Sequence, residues 1–239
     1  INLSPISFYL SLSSIYMIYI LPVLGVLLSF LFVVITKPQK NEYFKLLLAF
    51  SGAFLLALTI FELLPEVYTH IDPKTIGIFI MLGILFQIFL EFFSKGAEHG
   101  HVHISKESTN FPWLLFISLC IHSLLEGLPI GSNDTIIYGI LIHKIPIAII
   151  LSIFLLGSNI KGIHAGLFMV LFSVMTPIGT FLAHTVEILS TYAVYLNALV
   201  IGVFLNISTV ILFESSEGHK FNLRKLLVII FGITIAYFL

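Results

Sequence analysis

Residues 111–156 read FPWLLFISLCIHSLLEGLPIGSNDTIIYGILIHKIPIAIILSIFLL, and the only formally charged side chains in them are Glu126, Asp134 and Lys144. A helix lying on a soluble core carries a polar stripe along its outer face. Neither arm of this stretch has one. About 20 mostly apolar residues suffice to cross a bilayer as a helix. The stretch therefore predicts two spans, 111–131 and 135–156, joined by the short polar turn Gly131-Ser132-Asn133-Asp134. So short a turn makes the two helices antiparallel neighbours.

The same pattern extends to both ends of the 239-residue chain, as further apolar stretches at roughly 10–35, 44–65, 74–94, 162–183, 188–213 and 221–239. The composition agrees: 59% of residues are hydrophobic, 23 are Phe, and only 10% are charged. A soluble domain carries about 25% charged residues. Lipid offers nothing to bond backbone N–H and C=O groups, so the stretches are expected to be helical, and the alternation of a membrane barrel is absent. The expectation is an all-α, polytopic membrane protein. It has one transmembrane domain over 1–239, with eight transmembrane helices. The first stretch is too long for the apolar part of a signal peptide and has no basic residue before it, so it reads as a span.

Basic residues fix the sidedness. Lys37, Lys40, Lys45, Lys95, Lys106, Lys161, Lys220, Arg224 and Lys225 fall in one set of alternate loops, Lys74 in the other, and Lys144 inside a span. Basic loops stay cytoplasmic, which places both termini on the extracytoplasmic side. The default location is a plasma membrane or a bacterial inner membrane. The net charge of -1 gives no reason to expect a nucleic-acid partner. Cys120, the one cysteine, has no partner for a disulfide within the chain and reads as a packing residue.

The chemistry-bearing residues sit inside the spans. His122 and Glu126 are four apart and share a helix face. His143 lies on the next helix, about as far from the turn as His122 is. An imidazole–carboxylate pair facing a second imidazole is a ligand set for a divalent cation, and ionisable residues at bilayer depth mark functional sites. Pro129 and Pro146 stand close by, where they bend helices and free carbonyls. Glu62, Glu66 and Glu91 are candidates to complete the site or line a path to it, and Ser123 is a further candidate ligand. His99, His101 and His103, in the long cytoplasmic loop 94–110, form a loose metal-binding tract of the kind that composition alone identifies. Zn2+ suits such ligands best, with Fe2+, Mn2+ and Cd2+ tolerated. The ligands bind such an ion in their deprotonated forms, so binding weakens in acid.

These residues resemble the ZIP family of divalent metal-ion transporters. His122, Ser123, Glu126 and Gly127 match its fourth-helix motif His-Asn/Ser-x-x-Asp/Glu-Gly. His143, Lys144 and Pro146 match its fifth-helix motif His-Glu/Lys-x-Pro-His/Glu. Gly52 to Glu66 is similar to the family's second helix, with Glu62 in the place of a histidine, and Thr176-Pro177-Ile178-Gly179 is similar to a sixth-helix segment. The resemblance implies an eight-helix bundle with an inverted repeat and ions moving toward the cytoplasm by alternating access. It is compatible with a homodimer. Three departures stand out: Lys144 in place of an acidic ligand, Ile147 in place of a ligand four residues after His143, and Thr176 where many members carry Glu. They predict one intramembrane ion, with Lys144 as cation substitute at a second position. The alternatives are a membrane-embedded metalloenzyme, which lacks a His-Glu-x-x-His pattern here, and a metal-binding receptor.

Overall fold

The computed structural model describes residues 16–38, 42–69, 71–94, 96–97, 111–130, 135–214 and 223–239, and among them every regular element is helical. The long helices are α1 (Met17–Thr36), α2 (Glu42–Tyr68), α3 (Pro73–Ser94), α4 (Trp113–Gly127), α5 (Ile136–Gly157), α6 (Gly162–Thr185), α7 (Ala193–Glu214) and α8 (Leu223–Tyr237). Six of them, α1, α2, α3, α5, α6 and α7, are long and apolar enough to cross a membrane. The helices α4 and α8 have 15 residues each, roughly 22 Å at 1.5 Å per residue.

Sequence features account for the helix ends. The helix α4 stops at Gly127, short of residue 131. Pro129 has no N–H to continue the ladder, and turn bonds from Leu128 N to Leu125 O and from Ile130 N to Gly127 O follow. Between α6 and α7, Val186 is extended and a one-turn helix, Glu187–Thr191, precedes α7. The hydroxyls of Ser190 and Thr191 both donate to the carbonyl of Glu187, offering the backbone an alternative to the regular ladder. In α2 the ladder widens into a π turn at Thr59–Leu63 just before Pro65.

Burial runs opposite to that of a soluble protein. On α3, Ile78, Met81, Leu85, Phe89 and Phe92 are exposed, while Gln87 and Ser94 are buried. Apolar side chains outward and polar ones inward is the arrangement for a lipid solvent.

The helices form two groups. The first contains α1, α4, α5 and α6, and the second α2, α3, α7 and α8. The groups meet chiefly where α2 lies on α5 and α3 lies on α4. Within each group a pair of helices runs in the same direction at very close range. The Phe79 ring packs at a tilt against Tyr195 and Gly83 meets Leu199, so α3 and α7 are parallel. Thr176 bonds the carbonyl of Ser123 and Thr180 that of Gly127, so α4 and α6 are parallel too.

Both close pairs are built on reciprocal glycines. A Cβ at Gly83 would overlap the carbonyl oxygen of Leu199, and one at Gly202 that of Ile80. A Cβ at Gly127 would overlap the carbonyl oxygen of Thr176, and one at Gly179 that of Leu124. In each case the obstacle is the residue three before the partner glycine. Small residues allow such approach where lipid gives no hydrophobic drive for helix association.

Gly202→Ala is expected to lower stability by about 1–3 kcal/mol. Gly77, with nothing near its Cβ position, is expected to tolerate Ala or gain roughly 0.5–1 kcal/mol. Thermal midpoints of the two purified variants in detergent check this, and equal midpoints would contradict the packing argument.

Candidate metal centre

One turn of α4 separates His122 from Glu126, and the Nε2 of His122 lies 2.9 Å from Oε1 of Glu126. The helix α5 brings His143 to the same oxygen, with its Nε2 at 3.7 Å. One ligand atom from each of these three residues lies within 4.8 Å of the other two, and no other such group occurs among the described residues. Zinc–ligand bonds of about 2.0–2.2 Å place neighbouring tetrahedral ligands roughly 3.3–3.5 Å apart. The His122–Glu126 edge, at 2.9 Å, is therefore tighter than in a filled site, and the His143–Glu126 edge, at 3.7 Å, is slightly wider. The two imidazole planes stand at 77° with centroids 6.2 Å apart, so both rings present edges to the carboxylate.

The other carboxylate oxygen faces a cation. Lys144 Nζ lies 2.5 Å from Oε2 of Glu126. The same ammonium donates to Oγ of Ser123 at 2.8 Å and stands 4.7 Å from the centroid of the Phe172 ring. Relative exposures are 0% for Glu126, 1% for Lys144, 1% for His143 and 3% for His122. Water therefore does not screen the charges, and the protein must balance them itself.

The helix α6 backs the site with a row of residues spaced by four. The hydroxyl of Thr176 donates to the carbonyl of Ser123 at 3.0 Å and lies 3.0 Å from the Ser123 hydroxyl. The Ser123 hydroxyl also donates to the carbonyl of Phe172 at 3.4 Å. Thr180 donates to the carbonyl of Gly127 at 2.9 Å. These bonds span α4 and α6 at the level where Gly127 and Gly179 let the backbones touch. Pro146, three residues after His143 in α5, removes the amide that would bond the carbonyl of Ile142.

The remaining sequence candidates stand apart from this cluster. Glu62 lies in the π turn of α2 and Glu66 in the turn after it, both partly exposed, and Glu91 is partly exposed near the end of α3. None of the three belongs to the group of ligand atoms around Glu126. Ile147 is buried and Thr176 is fully buried. His99, His101 and His103 lie outside the described residues. Sequence reasoning did not single out Phe172 and Thr180. Their spacing of four on either side of Thr176 was the available signal, since it puts all three on one face of α6.

Residues 95–239, more than half of the chain, match the family model described as ZIP Zinc transporter. The chain is 36% identical over 89 residues to Zinc transporter ZIP1 of Danio rerio, covering 35% of this chain and 30% of that protein. It is 34% identical over 89 residues to Zinc transporter ZIP1 of Takifugu rubripes, with the same coverage of 35% and 30%. Against Protein zntD of Dictyostelium discoideum it is 31% identical over 150 residues, 54% of this chain and 22% of that protein. The alignments thus span less than a third of each of these relatives. With both helix motifs inside the matched region, the chain belongs to the ZIP zinc transporter family.

Proposed function

We infer that this chain carries divalent metal ions across a membrane, with Zn2+ the leading substrate and Fe2+, Mn2+ and Cd2+ tolerated. The observation that supports this most directly is the meeting of His122, Glu126 and His143 in a fully buried position. Two imidazoles and a carboxylate replace part of the hydration shell of a borderline cation. A fourth position remains for water or a passing ligand, as transport requires. A closed structural site has four protein ligands. Family membership favours a transporter over a metalloenzyme.

The reading extends to eight spans, with α4 and α8 completing the six longer ones, and to extracytoplasmic termini. The basic loops then face the cytoplasm, and ions travel toward them. The ion sits on α4 and α5, in the first helix group. The seams of α2 with α5 and α3 with α4 are where that group slides or rocks against the second. Such motion exposes a midplane site alternately to each side. A single intramembrane ion is bound, with Lys144 holding the place of a second. Dimerisation is compatible with this scheme.

In proteoliposomes loaded with a zinc-sensitive dye, the parent chain is expected to import Zn2+. His143→Ala and Glu126→Gln are each expected to reduce the initial rate at least about 100-fold, the upper range for losses around a metal site. Retained uptake in both variants would refute the assignment. Metal analysis of the purified protein should give one tightly bound intramembrane ion per chain, and two would overturn the single-site reading. Replacing His99, His101 and His103 together by Ala should leave most of the transport rate intact. Complete loss would place the essential site in the loop.

A further inference from the structure

Glu126 has two faces, and they are differently occupied. Its Oε1 is turned to the imidazoles of His122 and His143, and its Oε2 to the ammonium of Lys144. With neutral imidazoles, the carboxylate and the ammonium sum to zero. A dication entering between the imidazoles therefore meets no net negative charge, and it shares its one carboxylate with a buried positive charge. Like charges this close in a water-excluded site repel strongly.

We propose that Lys144 is a built-in competitor of the cargo for Glu126, setting both how tightly the ion is held and which ions are admitted. The inference rests on the metal-site reading above. The ammonium has somewhere to withdraw. Ser123 Oγ accepts a hydrogen bond from it at 2.8 Å, and the Phe172 ring lies 4.7 Å away. The Ser123 hydroxyl in turn lies 3.0 Å from that of Thr176 on α6, so this second seat is part of the α4–α6 pairing. When the ion arrives, Lys144 loosens its hold on Oε2 and leans on Ser123 and the aromatic face. When the ion leaves, it closes back on the carboxylate and leaves a neutral site.

Selectivity follows from the same geometry. Hard cations such as Mg2+ and Ca2+ depend on charged oxygen ligands, and Lys144 neutralises the one carboxylate offered. Zn2+ gains two imidazole bonds that the ammonium does not affect. The competitor therefore penalises hard cations more than borderline ones.

The test uses the full chain in lipid nanodiscs for binding and in proteoliposomes for flux, with Zn2+ as probe and Mg2+ and Ca2+ as competitors. Lys144→Met keeps the stem and drops the charge. It is expected to bind Zn2+ about tenfold tighter or more, ~1.4 kcal/mol, to release it more slowly, and to admit Mg2+ or Ca2+ as competitors. Lys144→Arg, which keeps the charge, should move both readouts less than the charge-free variants do. If Lys144→Met does not assemble, Lys144→Gln carries the same expectation, since its amide still donates to Ser123. Unchanged or weaker Zn2+ binding in an assembled charge-free variant, or an unchanged competitor order, overturns the proposal. His143→Ala separates the two levels: if it leaves Zn2+ binding intact, the site assignment itself has failed. If it abolishes binding while the Lys144 variants behave like the parent, only the competitor role has failed.

Discussion

A carboxylate with no exposed surface has to find its counter-charge inside the protein. Glu126 finds it in Lys144, 2.5 Å away on the neighbouring helix. Leaving either group alone in the interior costs several kcal/mol, so the pair holds α4 and α5 in a definite register. Once Oε2 is committed to the ammonium, Oε1 is turned toward His122 and His143. The orientation of the candidate ligands is thus a consequence of how one buried charge is neutralised. The Ser123–Thr176 contact extends the same constraint into α6.

That electrostatic arrangement needs close backbones. The polar chain from Lys144 through Ser123 to Thr176 is short because Gly127 and Gly179 let α4 and α6 touch. A Cβ at either glycine would collide with the facing backbone and force α4 and α6 to shift where these hydroxyls bond. The Gly83–Gly202 crossing between α3 and α7 is the equivalent close approach in the other helix group. Each group therefore contains one closely packed pair of parallel helices, and the two groups are joined through the contacts of α2 with α5 and α3 with α4. The α4–α6 pair stands beside the buried Glu126–Lys144 ion pair, whereas the acidic residues of the second group, Glu62, Glu66 and Glu91, are partly exposed.

Family membership and the local geometry support each other while resting on different observations. The matched region begins at residue 95 and so contains α4 to α8, including every residue of the cluster around Glu126. The helices α1 to α3 lie before it. They pack through Gly25 against Leu141 of α5 and Gly83 against Leu199 of α7.

Much was legible before any coordinates. Hydropathy identified an all-helical membrane chain, because a bilayer forces long apolar segments to satisfy their own backbone groups. The pairing of His122 with Glu126 followed from helical periodicity, and the resemblance to the ZIP family from the residues of two short motifs. Contacts between helices distant in sequence were not legible. Which way the Lys144 side chain turns, that Phe172 and Thr180 stand behind the site, and that four glycines sit at two reciprocal crossings all depend on which faces meet. Local sequence sets the period and polarity of a helix. The rotation of one helix against another is decided only when buried charges, hydroxyls and backbone surfaces across the bundle are satisfied together.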